Sequence, residues 1–160
     1  MKVFAIISVL VLLLTLVGVG SLYMTANIYV DACGVVTVEA SAQQEQFDAL
    51  ATQLRTGAVI GTPFTSATEL SDSENYQFCA YTIRLKNDCR IPAEMVEVQI
   101  SPMAGDVMQI GTTHLADVPA GGTADVTAAI LTDASMHTIR EVTITYYMWD
   151  VPFSLKTTVK

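Results

Sequence analysis

The feature that most constrains this chain is a run of uncharged residues at its N-terminus. Residues 3–30 carry no charged side chain, and the densest part, VFAIISVLVLLLTLV, is almost entirely apolar. A helix needs about 20 apolar residues to cross a membrane, whereas a secretory signal peptide has an apolar region of about 7–15 residues. The run therefore predicts a membrane anchor over residues 1–30 and an exported domain over residues 31–160.

The charges that flank this run predict its orientation. Lys2 and the amino terminus lie on one side, and Asp31 lies on the other. By the positive-inside rule, the N-terminus faces the cytoplasm and the C-terminal domain is extracytoplasmic, so the chain is a single-pass protein of the cell membrane. Residues 3–30 then contact membrane lipid, and Tyr23 and Tyr29 lie near the outer interface, where aromatic rings are favoured.

Two kinds of processing remain open beside an uncleaved anchor. Gly18 and Gly20 are small residues at the −3 and −1 positions of a signal-peptide cut before Ser21. The sequence of residues 30–33 also resembles an imperfect lipoprotein signal, in which Cys33 carries the lipid. Each alternative leaves the rest of the chain outside the cytoplasm.

Composition and charge exclude several other classes of protein. Hydrophobic residues make up 51% of the chain and charged residues only 15%. Because the apolar excess is concentrated in one segment, a multi-pass transporter, a soluble cytosolic enzyme and a disordered chain are excluded. The net charge of −8 becomes −9 once Lys2 is set aside. Residues 31–160 are therefore acidic, which predicts no nucleic-acid partner and a domain held off anionic headgroups by its tether.

One amphipathic helix is predicted over about residues 42–56. Phe47, Leu50 and Leu54 recur at helical spacing, and Gly57 stands where a helix C-terminus favours a left-handed residue. Ser41 and Gln44 have the spacing of a capping box.

The remaining chain alternates between apolar and polar residues, as strands do. Val35, Val36 and Val38 indicate a short first strand, and further alternating strands cover residues 76–86, 94–100, 106–110, 124–130, 139–149 and 153–159. Short strands separated by turn signals predict a mainly β fold, an antiparallel immunoglobulin-like β-sandwich with one added helix.

Three of these segments carry a resemblance to a known family. Residues 81–87, 93–100 and 118–126 resemble the strand, Asn-containing turn, strand and Pro-x-Gly pattern of bacterial surface immunoglobulin-like modules of the CARDB kind. Cys89 departs from that pattern, because such turns usually carry Gly. The resemblance implies the fold, and no functional residue is transferred from it.

The three cysteines allow one internal disulfide. If residues 79–86 form one extended strand, Cys79 and Cys89 are too far apart to be bridged. A first strand beginning near Cys33 would bring Cys33 and Cys89 to the same level, which predicts a Cys33–Cys89 disulfide with Cys79 as a buried thiol. Three reduced cysteines are the equal alternative, and another pairing or an intermolecular bridge also stays open.

No pattern in the sequence indicates catalysis, a cofactor or a metal. His114 and His137 lack ligands at zinc spacing and are interpreted as exposed loop residues. Ser135 is close to His137 in sequence, but no nucleophile elbow is present. The acidic residues Asp72 and Glu74 lack the pattern of a calcium loop.

One weak pointer to binding remains. Tyr147 and Trp149 fall on the outward, Thr-rich face of the predicted 139–149 strand, where an exposed aromatic pair can contact a partner. The interpretation we favour is that the 42–56 helix covers this face, since its apolar stripe needs a surface.

The sequence thus predicts a membrane-anchored, non-catalytic interaction or structural module of the cell envelope, with an envelope protein as its partner. Two alternatives are a small envelope hydrolase with an unrecognised site and a subunit of a pilus or secretion assembly. The pilin interpretation is disfavoured, because no Gly precedes the apolar run and no acidic residue lies near its start.

Overall fold

The computed structural model describes residues 2–24, 27–59, 61–66, 69–111 and 116–160. Its first element is helix α1, Lys2–Met24. The window Val3–Ser21 has a mean hydropathy of 2.8, and none of it is buried by the rest of the protein. This helix is long and apolar enough to cross a membrane.

Strand β1 begins inside the predicted anchor segment. It covers Ile28–Glu39, and Ile28 and Val30 pair with Asn87 and Leu85 of β2. Residues 28–30, which the uncharged run assigned to the anchor, therefore belong to the sheet. The reason is that β-branched side chains suit a strand as well as a lipid-facing helix, so an absence of charge cannot separate the two.

Within the described residues, eight strands form two antiparallel four-stranded sheets. The first sheet has the order β1-β2-β6-β4 and the second has the order β5-β3-β7-β8. The remaining strands are β2 (Tyr76–Asn87), β3 (Ala93–Ile100), β4 (Asp106–Ile110), β5 (Ala116–Val118), β6 (Thr123–Asp133), β7 (Arg140–Met148) and β8 (Val151–Val159). The predicted fold class, an antiparallel β-sandwich with one added helix, is confirmed, and β5 is a strand that the sequence did not predict.

The main core fills the space between the sheets. The inward positions of β2 and of β7 predicted from alternation are buried, and they pack with inward residues of β3 and β6. These buried side chains include Cys79, Tyr81, Ile83, Leu85, Val98, Ile100, Val126, Ile130, Val142, Ile144, Tyr146 and Met148. Period-two alternation thus located the core correctly.

Helix α2, Gln44–Thr56, matches the predicted helix. It ends at Gly57, whose φ of 67° lets its N–H reach the carbonyl oxygens of Gln53 and Leu54. The predicted capping box is wrong, because Ser41 lies in the preceding 3-10 turn, Ala40–Gln43, and the helix begins without a side-chain cap. The Gln44 side chain instead hydrogen-bonds within the helix and accepts a bond from the Ser73 hydroxyl.

The apolar stripe of α2 packs on the outer face of the first sheet. Phe47, Leu50 and Leu54 form a second core with Phe78 and Leu131, joined by Ala40, Val107 and Met108. The favoured interpretation, in which this helix covers the face of Tyr147 and Trp149, is therefore wrong, because that face belongs to the other sheet. Tyr76, Phe78 and Ala80, all apolar on the outer face of β2, were the signal in the sequence for the true packing surface.

Candidate functional site

A two-residue turn joins β7 to β8. Met148 pairs with Val151, and Trp149 and Asp150 between them have φ angles of 52° and 60°. A type I′ hairpin turn requires positive φ at both central residues, and it normally uses Asn or Gly there. The alternating pattern predicts Trp149 inside a strand, because the usual Asn-Gly signal of such a turn is missing from the sequence.

The turn presents its aromatic ring to solvent. The Trp149 side chain is 54% exposed, whereas Tyr147 is half-buried on the outer face of the second sheet. Tyr147 pairs with Glu94 on one side and with Pro152 on the other. The predicted aromatic pair is therefore split, and Trp149 is the exposed member.

Several segments meet at the end of the sandwich where β1 begins. Ile28 pairs with Asn87, the last residue of β2. The buried Asn87 amide donates hydrogen bonds to the carbonyl oxygens of Ile91 and Val118, at 2.8 and 3.3 Å, and its backbone N–H donates to that of Gly122. We call this end, with the start of β1, the 88–92 loop and the 119–122 turn, the entry end, because the chain enters the sandwich there.

The β7–β8 turn also lies at the entry end. Val118 pairs with Ala93 of β3, and the next residue, Glu94, pairs with Tyr147 of β7. Since Trp149 follows Tyr147 by two residues, the turn extends the second sheet beyond the level of Ala93. The register therefore places Trp149 at the same end of the molecule as the first residues of β1.

Other exposed apolar side chains accompany Trp149 at the entry end. Met95, in a bulge of β3, is 52% exposed and also has a positive φ of 52°. Val151 is 41% exposed, and Tyr29 at the start of β1 is 36% exposed. Together these side chains give the entry end an amphipathic surface.

The charges at the entry end are mixed and mainly acidic. The backbone N–H of Met95 donates to Asp117 at 3.0 Å, and Lys86 forms a 3.8 Å ion pair with Asp88. Electrostatic attraction to Tyr29, the charge of Asp88 and a hydrogen bond that the Lys86 ammonium donates to Tyr29 raise the pKa of Lys86. The strand register and the loops place these charged residues at or near this end: Asp31, Lys86, Asp88, Arg90, Glu94, Asp117 and Asp150.

The cysteines are not arranged as predicted. Cys33 is an exposed free thiol that pairs with Ile83, five residues along β1 from Ile28. Five residues of strand span about 16 Å, and a disulfide needs Cα atoms within about 7 Å. The structure therefore does not contain the predicted Cys33–Cys89 disulfide. The physical reason is that β1 starts earlier than expected, so Ile28 rather than Cys33 lies level with Cys89, and the N–H of Asn27 donates to the Cys89 sulfur at 2.9 Å.

Cys79 is the buried thiol that the sequence predicted. It lies in the main core, with the Thr37 hydroxyl 3.9 Å from its sulfur. Burial raises the pKa of Cys79, and the hydrogen bond with Thr37 opposes this shift only in part. A thiol held in its protonated form inside a core is a packing group, not a nucleophile.

A buried polar cluster lies near Cys79, at the end of the sandwich opposite the entry end. Arg140 donates to both carboxylate oxygens of Asp106, and its remaining guanidinium nitrogen donates to the carbonyl oxygens of His137 and Ile139. The Tyr81 hydroxyl donates to the carbonyl oxygen of Thr138 at 2.8 Å, and burial raises the pKa of that phenol. Each of these donors already has an acceptor within the protein, so the cluster holds the 137–139 loop and the two sheets together. This cluster was not predicted from the sequence, although Arg140 alternates in phase with the buried positions of β7.

The other residues considered for chemistry do not form a shared site. His137 is exposed, and His114 lies outside the described residues. The Ser135 hydroxyl donates to Asp133 at 2.6 Å, a contact that leaves it tied to a turn. Within the described part of the chain, no group of three His, Cys, Asp or Glu side chains could hold a metal ion.

Comparison with known proteins identifies no family. No protein-family model matches the chain, and no curated protein matches it. The GAE domain of yeast GGA1 is 11% identical with a TM-score of 0.36, covering 56% of this chain and 94% of that one. The cupredoxin domain of amoB from Nitrosocaldus yellowstonii is 12% identical with a TM-score of 0.34, covering 82% of this chain and 84% of that one. The resemblance to CARDB-like modules stays a prediction.

Proposed function

We propose that the protein is a membrane-anchored interaction module whose β-sandwich lies outside the cytoplasm. The observation that carries this proposal is the exposure of helix α1: the apolar window Val3–Ser21 is unburied by the protein itself. Apolar side chains in such number need a nonaqueous environment, and a bilayer provides one. In this proposal α1 stays attached as an anchor, whereas a signal sequence would be cleaved off.

The sandwich supports a role in binding rather than in catalysis. Its buried ionisable pair, Asp106 and Arg140, is occupied by mutual hydrogen bonds. By contrast, Trp149 is a largely exposed aromatic residue on a turn, with a strained backbone conformation. Backbone strain persists where the surroundings impose it, and it concentrates at functional positions. Trp is also the residue type that most often anchors a contact. We therefore assign the interaction to the entry end.

The location of the domain can be tested with its own exposed thiol. Intact cells are treated with a membrane-impermeant maleimide, and membranes are then extracted with alkaline carbonate. The protein is expected to be labelled at Cys33 before lysis and to stay in the membrane pellet. A Cys33→Ser variant is the matched control, since Cys79 and Cys89 are buried and should not react in the folded protein.

Two results would contradict the proposal. Labelling that appears only after lysis would place the domain in the cytoplasm. Recovery of a shortened chain in the soluble fraction, with a mass corresponding to a cut before Ser21, would show a signal sequence instead of an anchor.

A further inference from the structure

We propose that the Trp149–Asp150 turn contacts the headgroup layer of the membrane that α1 crosses. This inference rests on the proposed function, because it requires α1 to remain attached as an anchor. It goes further by naming lipid as the surface that the entry end of the sandwich contacts.

The short connection from α1 to β1 limits how far the sandwich can stand from the membrane. Helix α1 ends at Met24 and β1 begins at Ile28. Four Cα to Cα steps span at most about 14 Å in any conformation. The entry end must therefore lie within that distance of the point where the helix ends.

The register of the strands determines which end of the sandwich faces the bilayer. Ile28 and the β7–β8 turn lie at the same end of the sandwich, and the turn projects beyond the last paired residues, Met148 and Val151. Met103 and Ile139, two exposed apolar residues at the opposite end, lie about 30 Å away by the length of β7. A tether this short brings the turn, and not the opposite end, to the interface.

The chemistry of the turn suits that interface. The indole of Trp149 combines a large apolar ring with one N–H donor, and such rings concentrate at the headgroup level of membranes. Val151, which pairs with Met148 at the base of the turn, is 41% exposed, and Met95 of β3 at the same end of the sandwich is 52% exposed. Trp149 lies in the turn and not on a strand face, and its side chain is 54% exposed.

The net charge of the entry end determines which lipid headgroup the turn prefers. The entry end carries the acidic residues Asp31, Asp88, Glu94, Asp117 and Asp150 against the basic residues Lys86 and Arg90. A surface with this balance is repelled by anionic headgroups. The preferred contact is therefore a neutral, zwitterionic headgroup, reached by insertion of the Trp149 ring rather than by salt bridges to lipid.

The chain contains a single Trp, so the inference can be tested on the full protein. The protein is reconstituted into phosphatidylcholine vesicles with lipids brominated near the top of their acyl chains. Trp149 emission is expected to be lost to bromine quenching and shielded from aqueous iodide. The matched control carries Trp149→Phe with Ile139→Trp, which moves the probe to the opposite end, and its emission should be quenched by iodide and not by bromine.

The possible results distinguish failure of the lipid contact from failure of the proposed anchor. If Trp149 is quenched by iodide alone while the chain resists carbonate extraction, the anchor stands and the lipid contact is overturned in favour of a protein partner or solvent. If both probes are quenched by bromine, the sandwich lies flat on the bilayer, and a contact confined to the turn at the entry end is overturned. If quenching of Trp149 appears only when phosphatidylglycerol replaces phosphatidylcholine, the preference for neutral lipid is overturned. A chain that leaves the vesicles in carbonate contradicts the proposed function itself.

Discussion

Arg140 on β7 and Asp106 on β4 form a bidentate ion pair that joins the two sheets. The Nη2 to Oδ1 distance is 2.6 Å and the Nε to Oδ2 distance is 3.1 Å, and both side chains are fully buried. The backbone N–H of Met103 also donates to the Asp106 carboxylate at 2.8 Å. This pair links elements from opposite layers, so its loss should affect the whole sandwich.

Arg140→Met is expected to lower the free energy of unfolding by about 3–5 kcal/mol, because it leaves a buried carboxylate without its counter-ion. The double variant Asp106→Leu with Arg140→Met should lose less than either single variant, since no uncompensated charge remains. Urea unfolding of the detergent-solubilised chain, followed by far-UV circular dichroism, measures these differences.

The exposed pair of Arg84 with Asp125 is the matched control. It has the same bidentate geometry, with its Nε to Oδ1 distance at 2.7 Å, but both side chains are in contact with solvent. Arg84→Met should therefore change stability little. If the two Arg variants were equally destabilised, burial would not be what gives the Asp106–Arg140 pair its importance.

The same carboxylate predicts how stability depends on pH. Burial raises the pKa of Asp106, but the hydrogen bonds from Arg140 and from the Met103 backbone outweigh it, and the net pKa lies below its ordinary value. An Asp with a depressed pKa in the folded state stabilises it fully above the unfolded-state value, which is about 3.9. That stabilisation is lost as the pH falls through the folded-state value.

Unfolding free energies measured between pH 7 and pH 2 test this dependence. The natural protein should lose stability below about pH 4 more steeply than the double variant that lacks both Asp106 and Arg140. Asp125 and Asp133, whose pKa values are also lowered by hydrogen bonds, are present in both proteins and cancel in the comparison. Identical acid slopes would show that Asp106 is not the group responsible.

Alternation of apolar residues was sufficient to predict the sandwich, because β2 and β7 each present one continuous apolar face. Alternation could not predict which sheet α2 packs on, because the outer faces of both sheets carry apolar side chains. Only the pairing of the strands in the folded protein shows which outer face the helix covers. Alternation also failed for Arg140, a charged residue in phase with Val142 and Ile144. A buried charge depends on a partner 34 residues away in sequence, which no local pattern reveals.

The candidate site was predicted only in part, for a related reason. Trp149 was identified as an exposed aromatic residue, but the sequence placed it on a strand. A Trp-Asp pair departs from the residue types that hairpin turns favour, so the turn follows from the strand pairing on either side of it. The turn and Ile28 lie at the same end of the sandwich because of the register of both sheets. Strand register depends on residues that are far apart in the sequence, so no local pattern could place the turn at the end where β1 begins.

Gln109 makes a further contact between the sheets that can be tested. Its side-chain oxygen accepts the backbone N–H of Ile100 at 2.9 Å, and its nitrogen donates to the carbonyl oxygen of Val98 at 2.8 Å. Gln109→Leu leaves both backbone groups buried and unpaired, at about 1–3 kcal/mol each. Gln109→Glu keeps the acceptor and loses the donor, so its stability should differ from that of the Leu variant. A fully stable Leu variant would show that water replaces the amide at this position.

The turn itself gives the last prediction. Trp149→Asn should raise the free energy of unfolding by about 1 kcal/mol, because Asn tolerates the left-handed conformation that a Trp adopts at a cost. Asp150→Gly should also stabilise the protein while it retains the Trp149 ring, and it therefore separates turn strain from loss of the aromatic side chain. Urea unfolding in detergent measures both variants. If Trp149→Asn destabilises the protein while Asp150→Gly stabilises it, the Trp149 ring contributes to folding, and its strained position is explained by packing rather than by a role at the membrane surface.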